Sequence, residues 1–255
     1  MSTAVIVQAR MASTRLPGKV LETLRGETVL AHVLERCHAI AGADAVCCAT
    51  LAGSEGDPVA AEAARCGAAV FRGSESDVLE RYHGAAACLD AEVVLRVTSD
   101  CPLIDPEICA QVLRLRQAEQ ADYACNNMPP SWPHGLDCEA FTFEWLERSV
   151  REASKPSERE HVTPYMRSHP EARKSNLAGP GGEAASYRWT LDYQDDLEFM
   201  RAMFARLPAG PSGWSYLVPL AIIAAEPELA AINRGHDRDE GLKRSQVADA
   251  AEGPP

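Results

Sequence analysis

The chain of 255 residues predicts an α/β fold, a parallel sheet with crossover helices, on two observations. Short continuous apolar runs, the mark of strands covered on both faces, recur between Ala4 and Val97. Each gives way to a stretch whose apolar residues repeat at helical spacing, and four such alternations by Ala118 imply parallel strands joined by helices. The length allows one large domain or two small ones.

The first run, Val5, Ile6 and Val7, stops at Arg10 and opens a loop carrying Arg10, Ser13, Thr14, Arg15, Gly18 and Lys19. From Thr28 to Ile40, apolar residues at Val29, Leu30, Val33, Leu34 and Cys37 describe a helix with one buried face. Ala45 to Leu51 is a second strand, Asp57 to Cys66 an alanine-rich helix, and Gly67 stands where a helix C-terminal glycine is expected. Ala68 to Phe71 makes the next strand and Arg72 to Ser76 a loop. Asp77 to Leu89 keeps a helical period through Val78, Leu79, Tyr82, Ala85 and Ala86. Glu92 to Val97 is a buried strand ending at Thr98, Ser99, Asp100, Cys101 and Pro102. Asp105 as N-cap and Pro106 at the first helical position then open a helix to about Ala118.

Beyond Ala121 the pattern changes. A long irregular loop with Asn126, Asn127, Pro129, Pro130, Trp132, Pro133 and His134 runs to Glu139, and a loop of that length in a compact domain is more often functional than incidental. Helices are expected over Phe143 to Ala153 and Ser157 to Arg167, then a glycine-rich break at Gly179 to Gly182 and a strand from Ala185 to Leu191 ending at Asp192. Helices over Asp195 to Arg206 and Tyr216 to Ala225 complete the fold. The tail, residues 241–255, is expected to lack fixed structure. No internal repeat is present.

The composition narrows the partners. With 37 Asp and Glu against 25 Lys and Arg, the net charge of -12 argues against a nucleic-acid footprint or an anionic membrane surface. A small anion in one basic pocket remains compatible. Nine cysteines, odd in number and without a CxxC pair, read as reduced buried thiols in a cytoplasmic protein without a zinc site. No secretory leader pattern opens the chain, and its longest apolar stretch is half a membrane span.

Ligands of parallel sheets collect beyond the carboxyl ends of the strands, and three such places carry suitable groups. The first is the opening loop, where three cations ask for an anionic ligand. It lacks GxGxxG, and Val20 after Lys19 breaks the P-loop pattern, so dinucleotide enzymes and P-loop ATPases are disfavoured. A solvated basic turn is the plainer alternative. The second is Asp100 and the third Asp192, each a hard oxygen donor suited to Mg²⁺ bridging to phosphates, each alternatively a cap. Two strand-end aspartates facing a basic loop favour one shared metal-phosphate site. Cys101 has no histidine base at fixed spacing and reads as a structural thiol; His134 and His161 belong to no HExxH motif and are candidates for substrate contacts.

The stretches QARMASTRLPGKVL, RGSESDVLERY, RVTSDCPLIDP, HGLDCEAF, EREHVTPY and RWTLDYQDDLEF, in this order, resemble the cytidylyltransferase superfamily. The resemblance covers most of the chain and leans to the spore-coat polysaccharide biosynthesis protein F branch, related to acylneuraminate and 3-deoxy-manno-octulosonate cytidylyltransferases. It implies a Rossmann-like, GT-A-like nucleotide-diphosphosugar-transferase fold of three layers, with a mixed, mostly parallel, seven-stranded sheet. It implies a nucleotidyltransferase domain over residues 1–240, with 126–184 as an acceptor-binding and dimerisation arm, working as a homodimer on CTP, Mg²⁺ and a sugar or sugar-acid acceptor. Carried over by motif, Arg10, Ser13, Arg15 and Lys19 would hold the triphosphate beside Ala9, with Arg72 and Ser74 near the cytosine. Thr98 also falls in the nucleotide site, where the octulosonate enzymes carry the Gln of QGDEP, and Cys101 replaces the Glu. Arg10, Lys19 and Asp100 would be catalytic, and Asp100 and Asp192 would bind Mg²⁺. Acceptor contacts are expected from His134, Asp137, Glu139, Arg159 and His161, with Arg188 pairing a sugar carboxylate. Two alternatives are glycosyl transfer from a nucleotide sugar on the same sheet edge and a non-catalytic nucleotide-binding module.

Overall fold

In a computed structural model that describes residues 1–208 and 213–252, the chain opens with β1 (Thr3–Gln8), buried through Val7. The loop after it ends in a 3-10 helix over Lys19–Leu21 and a hairpin of β2 (Thr23–Leu24) and β3 (Glu27–Thr28) that no sequence pattern announces. Thr28 caps α1 (Val29–His38) by accepting the Ala31 N–H, and the apolar stripe of α1 is fully buried. There follow β4 (Ala45–Leu51), α2 (Asp57–Arg65), β5 (Ala69–Gly73), α3 (Val78–Cys88) and β6 (Val93–Thr98). Gly67, at φ +76, ends α2 as expected. Asp105 caps α4 (Pro106–Ala118), and its second oxygen accepts the Tyr216 N–H at 2.6 Å.

β1 pairs in parallel with β4 and β6, and β4 in parallel with β5. The second half of the sheet departs from this. The segment read as wholly irregular contains β7 (Tyr123–Cys125), a strand too short for periodicity to register but buried at every residue. β8 (Glu139–Thr142) lies antiparallel between β6 and β7, and after α5 (Phe143–Glu152), α6 (Pro156–His161) and α7 (Pro164–Ser168), β9 (Lys174–Asn176) pairs in parallel with β7. The result is a mixed, mostly parallel sheet of seven strands in the order β5-β4-β1-β6-β8-β7-β9. Residues 126–184, expected as an arm, thus thread β8 and β9 into the main sheet.

Alternate residues of β1 face two separate cores, as a three-layer fold requires. Val5 and Val7 pack with Leu30, Leu34 and Val112; Ala4 and Ile6 pack with Leu79, Tyr82 and Phe141. A third core joins Trp189 and Leu191 to α8 (Gln194–Arg206) and α9 (Leu217–Ala225), with α10 (Glu228–Ala231) following. All nine cysteines are unpaired and seven are buried; Cys88 is exposed. Among the described residues no helix is long and apolar enough to cross a membrane.

Three expected elements differ. The single helix over Ser157 to Arg167 is broken into α6 and α7, because Val162 adopts φ +70 and Pro164 can only begin a new turn. The strand over Ala185 to Leu191 does not form. Gly182–Ser186 is a 3-10 helix, and the extended stretch after it makes one parallel bridge, His134 with Arg188. The ladder ends there because Gly135, at φ +118, turns the partner chain across Trp189. Finally, the tail expected to lack structure forms α11 (Glu240–Glu252). Polar contacts on α6 and its loop hold it: Ser245 donates to Glu160 at 2.8 Å, and Asp249 accepts the Ser157 N–H at 3.1 Å. Residues 253–255 of that tail lie outside the described residues.

Candidate active site

A cleft of about 480 Å³ opens at the carboxyl ends of β1 and β6. Its walls are the loop after β1, the Thr98–Cys101 turn, the Arg188–Asp192 stretch and the first turns of α11.

The opening loop is folded back on itself: the Gly18 N–H donates to the Met11 carbonyl at 3.0 Å and the Leu16 N–H to Ser13 Oγ at 3.3 Å. Gly18, at φ +74, turns the chain so that Lys19 points inward. There its Nζ lies 2.8 Å from Asp100 Oδ2, 2.8 Å from Asp192 Oδ1 and 2.7 Å from the Leu191 carbonyl. Arg15 meets Asp192 Oδ1 at 2.5 Å. Burial works against charge on both sides, yet attraction wins. It raises the Lys19 ammonium above its ordinary value and draws the Asp100 carboxyl well below the usual carboxylate range.

Asp192 owes its position to Asp196, a fully buried residue at the start of α8. One Asp196 oxygen accepts the backbone N–H groups of Asp192 and Tyr193 at 2.9 and 3.0 Å, and the Arg188 guanidinium grips both Asp196 oxygens at 2.7 and 2.8 Å. Arg188, expected to meet a substrate carboxylate, is therefore committed to this support. It still reaches Asp192 at 3.3 Å.

The two converging carboxylates are hard oxygen donors, the chemistry a Mg²⁺ ion takes. No group of three or more His, Cys, Asp or Glu that could hold a metal occurs among the described residues. Such an ion would draw two ligands from the protein and the rest from phosphate and water.

Ala9, Arg10, Ser13, Arg15, Lys19 and Thr98 all line the cleft, and Arg10 is exposed with no ion pair among the described residues. Arg72 and Ser74 do not line it. Arg72 pairs with Asp57 at 2.6 Å, and Ser74 Oγ accepts the Asp77 N–H at 3.1 Å because α3 begins there. Their place on the wall is taken by Val78 and Arg81. Arg159 also lies off the main cleft, tied to Asp77 and to the Val150 carbonyl at 2.8 Å, where it fastens α6 to α3.

Of the other expected acceptor contacts, His134, Asp137, Glu139 and His161 line the cleft. Asp137 pairs with Arg238, and burial lowers the pKa of both His134 and His161. Glu139 is buried and accepts from the Tyr123 hydroxyl at 2.5 Å and Thr163 Oγ1 at 2.7 Å, besides its ion pair with Arg96. Burial opposes its ionisation, but Arg96 and Arg167 bring its pKa down to about 2. It is a hub that aims Arg96 and Arg167 into the cleft. Sequence reasoning missed both arginines, although a charge inside the apolar run VVLRV was a usable signal, since a buried charge needs a partner. It also missed Arg244 and Ser245 of α11, for which no signal was present.

Cations meeting a carboxylate pair at the edge of a mostly parallel sheet suit an α/β nucleotidyltransferase, whose work on a triphosphate is positioning and charge neutralisation. Residues 4–203 match the family model of the cytidylyltransferases, and the chain belongs to that family. Its reaction class is nucleotidyl transfer from CTP. The chain is 30% identical over 239 residues, 91% of its own length and 94% of the relative's, to spore coat polysaccharide biosynthesis protein SpsF of Bacillus subtilis. A 3-deoxy-manno-octulosonate cytidylyltransferase of Mesorhizobium japonicum is 38% identical over 128 residues, 49% of this chain and 52% of that protein. Among solved structures, a cytidylyltransferase from Leptospira borgpetersenii superposes with a TM-score of 0.85 at 29% identity, covering 93% of this chain and 99% of that one. A CMP:2-keto-3-deoxy-manno-octonic acid synthetase complexed with CTP shares the fold, at a TM-score of 0.62 and 19% identity over 81% of this chain and 99% of that one.

Proposed function

We propose that the protein transfers CMP from CTP to a hydroxyl of a sugar or sugar acid, for surface polysaccharide synthesis, as a cytoplasmic homodimer. The observation that carries the reading is the meeting of Lys19 and Arg15 with Asp100 and Asp192 at one sheet edge. The acceptor hydroxyl gives up its proton to solvent as its oxygen forms a bond to the α-phosphorus, the bond from that phosphorus to the bridging oxygen breaks, and pyrophosphate leaves with the electron pair. Arg10, Arg15 and Lys19 bind the triphosphate and neutralise the charge that gathers on the leaving group. Asp100 and Asp192 would hold Mg²⁺, which would supply Lewis-acid polarisation of the α-phosphate and a lowered pKa for the acceptor hydroxyl. His134, His161 and the Arg96–Arg167 pair orient the acceptor from the far wall. Family membership weighs against both glycosyl transfer and a non-catalytic module.

Pyrophosphate release, measured with each of four NTPs, Mg²⁺ and a panel of 3-deoxy-2-keto sugar acids and neutral sugars, tests this. Release should require CTP and one acceptor class, and Asp100→Asn should slow it by about 10²–10³, the usual cost of losing a preorganised electrostatic group. No release with any acceptor, together with no stabilisation of the protein by CTP, would overturn the reading.

A further inference from the structure

The ammonium of Lys19 has three N–H donors and three acceptors, Asp100 Oδ2, Asp192 Oδ1 and the Leu191 carbonyl, all within 2.8 Å. Its side chain is 11% exposed. A divalent ion held by these same two oxygens, Asp100 Oδ2 and Asp192 Oδ1, would need both at roughly 2.0–2.1 Å, in the gap that Nζ now bridges. Two cations cannot share it. Arg15, on Asp192 at 2.5 Å, adds a second positive charge against entry.

From this we infer that Lys19 and the metal compete for one carboxylate pair, and that the incoming triphosphate draws Lys19 off the pair and so admits the metal. The inference rests on the reading of Asp100 and Asp192 as the metal-binding pair. Lys19 can make the move because its flexible four-carbon stem follows the turn at Gly18, and because the wall it would swing to already carries the exposed Arg10. Phosphate oxygens replace the carboxylates as its partners, so no buried ammonium is left unpaired. Nucleotide and metal then bind with positive coupling. Each raises the affinity of the protein for the other, which also spares the nucleotide-free carboxylates from idle metal loading.

Mn²⁺ titration of the full chain, followed by the electron paramagnetic resonance signal of the free ion, reads this without turnover. In the absence of nucleotide, Lys19→Met and Lys19→Gln should each bind Mn²⁺ at least about tenfold more tightly than the wild type, within the usual range of coupling between sites. Adding Asp100→Asn to Lys19→Met should remove the gain. With a non-hydrolysable CTP analogue present, the wild type should bind Mn²⁺ as a ternary complex, seen as enhanced water proton relaxation. Nucleotide-free wild type that binds Mn²⁺ as tightly as the folded variants would overturn the competition and leave the metal pair standing. Failure of all forms to bind Mn²⁺, with and without the analogue, would overturn the metal pair and the competition together.

Discussion

Burying a carboxylate is costly unless it is paired and hydrogen-bonded, and Glu139 meets both conditions through Arg96, Tyr123 and Thr163. Its pKa falls from 4.5 to about 2 on folding. A depressed carboxyl pKa adds stability that is fully present above the unfolded value and is lost as pH falls through the folded one. The contribution of Glu139 should therefore fade between pH 4.5 and about 2. Glu139→Gln should destabilise the protein by roughly 3–5 kcal/mol at pH 7, because it strands Arg96. In urea unfolding, the gap between variant and wild type should narrow as the acid is titrated. At this scale the sequence was a partial guide. It marked Glu139 as a cleft residue, but burial and four converging side chains make it a support, and no spacing rule encodes a partner on α7.

Elements whose ends are set by neighbours in the chain were legible. Thr28, Asp77 and Asp105 each cap the helix they precede, and each does so through its own side chain accepting an N–H two or three residues on. The stretch from Tyr187 to Leu191 was not legible, because a strand exists only where a partner continues beside it. Gly135 decides that. A Cβ there would lie 2.2 Å from the Trp189 carbonyl oxygen at a φ of +118. Gly135→Ala should cost more than the 1–3 kcal/mol typical of backbone strain alone, and should displace the stretch that carries Asp192. Gly67→Ala is the control. Its φ of +76 is also positive, but nothing lies within 4 Å, so only the backbone penalty of about 1 kcal/mol is expected. Differential scanning calorimetry of the two variants separates the clash from the strain.

For the molecule as a whole, the sheet supplies a rigid edge and the loops supply the charges. A ligand that binds only the folded state stabilises by RT ln(1 + [L]/Kd), about 2.7 kcal/mol at a hundredfold excess over Kd. In a chain of this size that raises Tm by roughly 5–10 °C. CTP with Mg²⁺ should produce such a shift and ATP with Mg²⁺ a smaller one, as thermal-shift fluorimetry can check. Asp100→Asn should lose the part of the shift that depends on the metal.

The alternation of apolar runs and helical periods determined the α/β class, and the six ordered motifs determined the family, because both are local properties that survive without coordinates. Strand ends also announced Asp100 as a cleft residue. Only the tertiary structure decided that β8 and β9 join the same sheet, that α11 walls the cleft, and that Arg72 and Arg159 are spent elsewhere. It also decided that Lys19 sits between Asp100 and Asp192, residues 81 and 173 positions further along the chain. The physical reason is that a charge chooses its partner by distance and burial in the folded chain, neither of which local sequence can express.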